Sequence, residues 1–559
     1  DELPHTLLGQ ADIAGHFSSP AGDRMVEALV CVAMVWLPLN APLVARPQAP
    51  PAPRLVVLIT VDQLSPDYLV RFRPQFTGGL ERLLRNGAVF TGAYQDHAVT
   101  ETAPGHATVG SGRNPWSTGI VRNDEGVPDS TAPLLESNGP GASPRRFRGT
   151  ALFDWIANQY PSARALSMSY KDRSAILTIG RARQQVYWVA GSRFTTSRYY
   201  ADTLPEWVRR FNADAAVSAR APGYVWDLLL PPSSYPEPDS IPFENRGRNF
   251  NLPHRPAHDS AGAVSFFAHS PWLDSLTLAF ALVGVRELGM GRGSGPDLLA
   301  VGLSATDEIG HSYGPDSREV HDQILRLDRW LGMFLDSLDR AIGPGRIVVA
   351  LTADHGVTAA PEILRARGDT ATGFVSVDTL VRRMQGELVA RAGPGRWVLY
   401  AEVGLVAMDR PGLAQRSVNV DSVVEAMREA ALRIPGVVRV DTRRTLAAVD
   451  TLSDTIGRRW RNSLPADALG ELMITLRPHH QWGAPMGGGR HGQPTDDDTH
   501  VPLIIAGPGV TAGRYPGRVS VVDLAPTLAR LLGVSPLERV DGRVLSEALV
   551  RRGVAGASR

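Results

Sequence analysis

Four short motifs carry residue types that can bind metal. Asp307 and His311 are spaced i and i+4 in DEIGH, which puts both on one face of a helical turn. Asp354 and His355 are adjacent in TADHG, Asp62 lies in TVDQ, and His491 lies in the glycine-rich GGGRHGQP. Mixed carboxylate and imidazole donors suit zinc first, and manganese or iron second. Six such donors are too many for one tetrahedral site and suit two. Two metals roughly 4 Å apart are a known solution for phosphoryl transfer. Each motif alone also has a structural reading, since an Asp after a strand is often a helix cap. The metal reading rests on the set.

Thr102, in TETAPGHAT, is the candidate nucleophile. Pro104 follows two residues later and is favourable near a helix start. A hydroxyl there sits among free N–H groups at the positive end of the helix, where a phosphate can bind. A metal can lower its pKa. Its plain alternative is an ordinary N-cap threonine. Asn123, in GIVRND, can donate to a phosphoryl oxygen or simply occupy a turn. Of 58 basic residues, 57 are arginine and one is lysine, Lys171. A single surviving lysine marks a place that needs a flexible point charge rather than a planar guanidinium.

These residues need elements to hold them. The run at 54–61 (RLVVLITV) reads as a fully buried parallel strand ending at Asp62. Similar strands at 297–303 and 346–352 end just before Asp307 and Asp354, and a fourth is expected at 501–506. Helical patterning marks 78–85, 318–338 and 521–532. Alternating strands and helices predict an α/β three-layer sandwich around a mostly parallel sheet. Its carboxyl-terminal strand ends, where open sheets build sites, carry the acidic residues and histidines.

Residues 1–53 read as a leader and linker, with Met25 opening a signal peptide, an apolar run at 28–37, Ala45 before a cleavage point, and RPQAPPAP after it. The core then runs over 54–181, 291–364 and 476–559. Residues 182–290 suggest a cap insertion, and 365–475 a small α+β insertion.

Composition narrows the classes. The chain has 559 residues, 43% hydrophobic and 21% charged, which excludes a largely disordered chain. A net charge of +1 argues against a nucleic-acid partner. The single cysteine, Cys31, excludes an intramolecular disulfide and a zinc site of cysteine pairs. The apolar run at 28–37 is too short to span a bilayer, so no stable membrane anchor is expected. The oligomeric state is open, with a monomer favoured.

The ordered set VDQ, TETAPGHAT, GIVRND, SYKDRSAIL, DEIGH, TADHG, RHG and DTHVPLIIAGPG resembles the alkaline phosphatase superfamily, most nearly its phosphate-irrepressible, PafA-type branch. The likeness runs from about residue 54 to 535. It implies a secreted or periplasmic bacterial phosphomonoesterase acting on small-molecule phosphate monoesters with two zinc ions. In that likeness Thr102 is the nucleophile and is itself a ligand of the zinc that activates it. Asp62, Asp354 and His355 hold the zinc that activates it, and Asp307, His311 and His491 hold the zinc at the leaving-group oxygen. Asn123, Lys171 and Arg173 contact phosphoryl oxygens. His491, in RHG, is preferred over His500 as the third ligand, and His500 is expected to orient the site from behind. His106 is expected to support the nucleophile turn, and the acidic run 496–498 to be a solvated turn.

Two rivals remain open. One is a phosphodiesterase or nucleotide pyrophosphatase of the same superfamily, against which the KDR pair argues. The other is a non-catalytic metal-binding protein. A sulfatase is disfavoured because Thr102 lacks the C/S-x-P-x-R context.

Overall fold

A computed structural model describes residues 52–550, apart from 216–222, 258 and 486. The leader reading, with Met25, the run at 28–37 and Ala45, lies outside the described residues. The strands are β1 (Leu55–Val61), β2 (Ala88–Tyr94), β3 (Ala165–Ser169), β4 (Gln185–Ala190), β5 (Arg193–Thr195), β6 (Asp297–Leu303), β7 (Ile347–Thr352), β8 (Gly373–Val375), β9 (Val398–Glu402), β10 (Leu405–Met408), β11 (Val437–Thr442), β12 (Gly470–Leu476), β13 (His480–Trp482), β14 (His500–Ala506) and β15 (Gly513–Ser520).

Nine of them form one sheet in the order β15-β2-β14-β7-β1-β6-β3-β4-β5. The central strand β1 is buried along its whole length, as its apolar and β-branched sequence requires. It pairs in parallel with both β6 and β7, with Leu55 opposite Asp297 on one side and Ile347 on the other. Val61 therefore ends level with Leu303, and Thr60 level with Thr352. This register brings three distant sequence motifs to one edge of the sheet.

The sheet is mostly parallel, but β14 runs antiparallel to β7 and β2, and β5 antiparallel to β4. Helices cover it in two groups. Arg318–Ile342 packs with Gly79–Asn86 and Trp272–Glu287, and Thr102–Ser111 packs with Asp172–Thr178 and Leu524–Leu532. The long helix follows from its stripe of Val320, Ile324, Leu327, Leu331, Phe334 and Leu338, all buried at three- and four-residue spacing. Ser317 caps it by accepting from the Val320 N–H at 3.1 Å.

Residues 182–290 do not form one insertion above the sheet. β4 and β5 extend the sheet itself, and Trp272–Glu287 packs on β6 and β3. Weak periodicity misled here because Trp272–Glu287 is apolar on most of its surface and carries no polar face to mark it. Residues 378–476 build a separate antiparallel sheet, β11-β12-β10-β9, whose apolar cluster includes Leu380, Met384, Val423, Met427, Leu472 and Ile474. Among the described residues, no single helix is long and apolar enough to cross a membrane.

One buried carboxylate ties the layers. The N-cap of Gly79–Asn86 is Gly78, which has no side chain to offer. Asp328, on the long helix, replaces it. Its carboxylate accepts from Thr77 and Gly78 N–H at 2.7 Å each and from Leu80 and Glu81 N–H at 2.8 and 3.2 Å. Asp328→Ala is expected to cost about 2–4 kcal/mol, because four donors lose a charged acceptor in a dry place. A lowered urea midpoint with unchanged activity per folded molecule is the expected result. An unshifted midpoint would refute this account of the helix.

Candidate active site

The strand register sets the site. Asp62 follows β1, Asp307 and His311 lie on the Ala305–Tyr313 helix after β6, and Asp354 and His355 follow β7. All but His311 are buried. Thr102 opens the Thr102–Ser111 helix beside them and is 1% exposed. Gly105, one turn into that helix, is a close-approach point. A Cβ there would lie 2.4 Å from the Asp354 carbonyl oxygen, so only glycine lets the helix press onto the strand end.

His491 arrives by a second close approach. A Cβ on Gly488 would lie 1.9 Å from the His311 carbonyl oxygen. Its ring then stands with Nε2 at 3.2 Å from His311 Nε2 and 3.7 Å from Asp307 Oδ1, stacked on His355 at 3.6 Å between centroids. Its Nδ1 is 2.7 Å from the Thr100 carbonyl oxygen, which requires that nitrogen to carry the proton and turns Nε2 inward as an acceptor. His355 is oriented likewise, Nδ1 to the Gly356 carbonyl oxygen at 3.0 Å.

The donor set fits a metal. His355 Nε2 and Asp354 Oδ2 are buried without hydrogen-bond partners and face each other at 3.4 Å. Two groups of donor atoms each lie within 4.8 Å of one another, Asp307, His355 and His491 in one, and Asp62, His106 and Asp354 in the other. Burial, and then the neighbouring Asp62, push the Asp354 carboxyl up to about 8, while burial pushes His355 down to about 4. Asp62 is held at about 2, its burial outweighed by Lys171 and His106. A buried cluster with this many carboxylates and imidazoles is a candidate cation site.

Lys171 stands at the entry to the Asp172–Thr178 helix, just past β3. Its ammonium contacts Asp307 Oδ2, lies 3.1 Å from Asp62 Oδ2 and 3.9 Å from Glu308 Oε1. The sole lysine is thus inside the acidic cluster, where the guanidinium fork is too broad. Arg173 is nearby, its Nε buried without a hydrogen-bond partner. Asn123 accepts the Ala103 N–H at Oδ1, 2.8 Å, and its own N–H goes to Glu101 Oε2 at 2.8 Å. With the oxygen engaged, the amide group that remains is a donor.

His106 ties the Thr102–Ser111 helix down, with Nε2 3.0 Å from Asp62 Oδ1 and Nδ1 3.0 Å from Thr178 Oγ1. Two sequence expectations need correction. The His500 ring is bound to the Thr91 carbonyl oxygen at 2.9 Å and stacked on Tyr94, so it touches no residue of the cluster. The run 496–498 is not a solvated turn throughout. It forms a helical turn that sends Asp496 outward to Arg459 and Asp498 inward, fully buried, to Thr358 Oγ1 at 2.7 Å and Gln493 N–H at 2.9 Å.

Two residues escaped the sequence reading. Gln63, at φ 62°, donates from Nε2 to Asp307 Oδ1 at 2.7 Å and from its backbone to Asp354 Oδ1 at 3.1 Å, linking both halves. Glu101 clamps Asn123, and burial raises its carboxyl to about 7. Adjacency to Asp62 and to Thr102 was the only signal for either.

Comparison with known proteins places the chain in a family and a fold. The family model described as type I phosphodiesterase / nucleotide pyrophosphatase matches residues 56–492. The chain is 32% identical over 533 residues to alkaline phosphatase PhoK of Sphingomonas sp, covering 90% of this chain and 92% of that one. It is 29% identical over 530 residues to alkaline phosphatase PafA of Elizabethkingia meningoseptica, covering 90% and 96%. The crystal structure of wild-type PafA superposes with a TM-score of 0.83 at 28% identity, over 90% of this chain and 100% of that one.

Proposed function

The chain belongs to the type I phosphodiesterase / nucleotide pyrophosphatase family and is a phosphatase of the alkaline phosphatase superfamily; from that premise we propose a zinc-dependent phosphomonoesterase working through a covalent phosphothreonine. The observation that carries this reading is the convergence of six metal-type donors and a helix-terminal threonine at three level strand ends.

Asp62, Asp354 and His355 would hold one zinc, and Asp307, His311 and His491 the other. Bound there, the pair would supply Lewis-acid stabilisation to the attacking and leaving oxygens. Thr102 Oγ1 attacks phosphorus in line, the new O–P bond forming as the ester O–P bond breaks. The alcohol leaves with a proton. Water then attacks the phosphothreonine, releasing phosphate and restoring the hydroxyl. The Asn123 amide donates to a phosphoryl oxygen. His106, Gln63 and Glu101 position these groups and touch no substrate.

Lys171 and Arg173 distinguish monoester from diester. A monoester brings one more anionic oxygen, and a cation aimed at it is worth more in the transition state. Relative kcat/KM on p-nitrophenyl phosphate and bis-p-nitrophenyl phosphate tests this. The monoester should win, and Lys171→Ala should lower the monoester rate by about 10²-fold while lowering the diester rate several-fold at most. Lys171→Arg should not rescue. A faster diester reaction, with both rates falling equally in Lys171→Ala, would favour a phosphodiesterase.

We also propose export from the cytoplasm, supported by the leader-like pattern from Met25 to Ala45. Amino-terminal sequencing of the periplasmic protein tests it.

A further inference from the structure

Beside the metal-type cluster lies a cavity of about 640 Å³, a size suited to a small molecule. His311 and Glu308 form part of its wall, and Arg246, Arg248, Arg255 and Arg490 are among the residues that line the rest. Among the described residues its lining carries four arginines and one carboxylate, Glu308, which lies 3.4 Å from His269 and 3.9 Å from Lys171.

A composition rich in arginine could place guanidiniums anywhere, so their partners matter. Many arginines elsewhere are matched, Arg82 to Asp336 and Asp339, Arg410 to Glu471 and Asp421, Arg458 to Asp96, while others, such as Arg193 and Arg329, have no carboxylate within ion-pair distance among the described residues and stand singly. Among the described residues, Arg246, Arg248 and Arg255 have no carboxylate within ion-pair distance, yet they converge on one cavity.

The backbone adds an independent observation. Asn245, Arg246 and Asn249 adopt φ of 45°, 58° and 46°, the left-handed region that costs such residues roughly 1 kcal/mol each. The loop is held, with the Tyr313 hydroxyl donating to the Asn249 carbonyl oxygen at 3.2 Å. Tyr313 and His311 share a helix, so the loop's arginines and the cluster are fixed to one element.

We propose that this cavity receives a second phosphate carried by the leaving group, so that the preferred substrates are small phosphate monoesters bearing another phosphate. Guanidinium forks match phosphate oxygens in pairs and keep their charge at any pH the enzyme meets. The placement beside His311 assigns the cavity to the leaving-group side. This deepens the monoesterase reading and rests on it.

The test compares two aryl esters of similar leaving group, 4-(phosphonomethyl)phenyl phosphate and 4-methylphenyl phosphate. The phosphonate carries the second charge and cannot be hydrolysed. At low ionic strength the ratio of their kcat/KM values should favour the phosphonate by about tenfold or more, and added salt should shrink it. Arg246→Ala with Arg248→Ala should bring the ratio close to one, whereas Arg82→Ala should leave it high. A native ratio near or below one, with the plain ester turned over, would overturn the proposal and leave the monoesterase reading standing. A high ratio indifferent to both salt and the double substitution would also overturn it. Turnover of neither ester would overturn both readings together.

Discussion

Thr102→Ala is expected to yield a folded protein whose kcat on p-nitrophenyl phosphate has fallen by about 10⁴-fold or more. The size follows from the role. In the proposed mechanism the hydroxyl forms the bond to phosphorus, and alanine has no group that can. The fold should not suffer, because the helix N-cap is Glu101 rather than Thr102. Alanine is also the better helix former. Thr102→Ser keeps a nucleophile at the same backbone position and should retain measurable turnover. Acid-quenched protein should carry one added phosphoryl group in the native and serine forms and none in the alanine form. Turnover by Thr102→Ala within about tenfold of the native enzyme would mean that another group, or water directly, attacks phosphorus.

The strands that carry the site were legible because continuous β-branched runs leave few alternatives to a buried parallel strand, and β6 begins and ends where the pattern does. Asp62, Asp307 and Asp354 were legible because they stand directly past such runs. The direction of β14 was not. Apolar content reports burial and is silent on polarity of pairing, so a run like VPLIIA fits either neighbour relation. Asp498 was misread for a related reason. Three consecutive aspartates look alike in sequence, and only the helical turn, rotating about 100° per residue, decides that the third faces inward. Gln63 was invisible because its value lies in two carboxylates roughly 240 and 290 residues away, which strand register alone brings to it. Nothing in the spacing of Arg246, Arg248 and Arg255 points to a shared cavity, and their convergence exists only once the cavity does.

Chelation should produce the second large effect, and on two properties at once. The cluster holds Asp62, Asp307 and Asp354 at 0–2% exposure, and the Lys171 ammonium is the cation in contact with two of them. Carboxylates buried in such number repel one another and are far from water, so bound divalent cations should stabilise the native state strongly. Because the site does not exist in the unfolded chain, binding free energy is folding free energy. At a metal concentration 100 times the dissociation constant, each site contributes about 2.7 kcal/mol. Exhaustive treatment with a strong chelator should therefore lower the denaturation midpoint and abolish phosphatase turnover. Zinc should restore both, with two ions bound per chain. Asp354→Asn keeps the shape and removes a charge, so it should bind fewer ions and show a smaller loss of midpoint on chelation. The two readouts separate the roles, since metal content and midpoint report the cation site whether or not the nucleophile works. Thr102→Ala should therefore keep most of the chelator-sensitive midpoint while remaining inactive. Native activity persisting in protein shown to be free of metal, with an unmoved midpoint, would refute the metal centre itself.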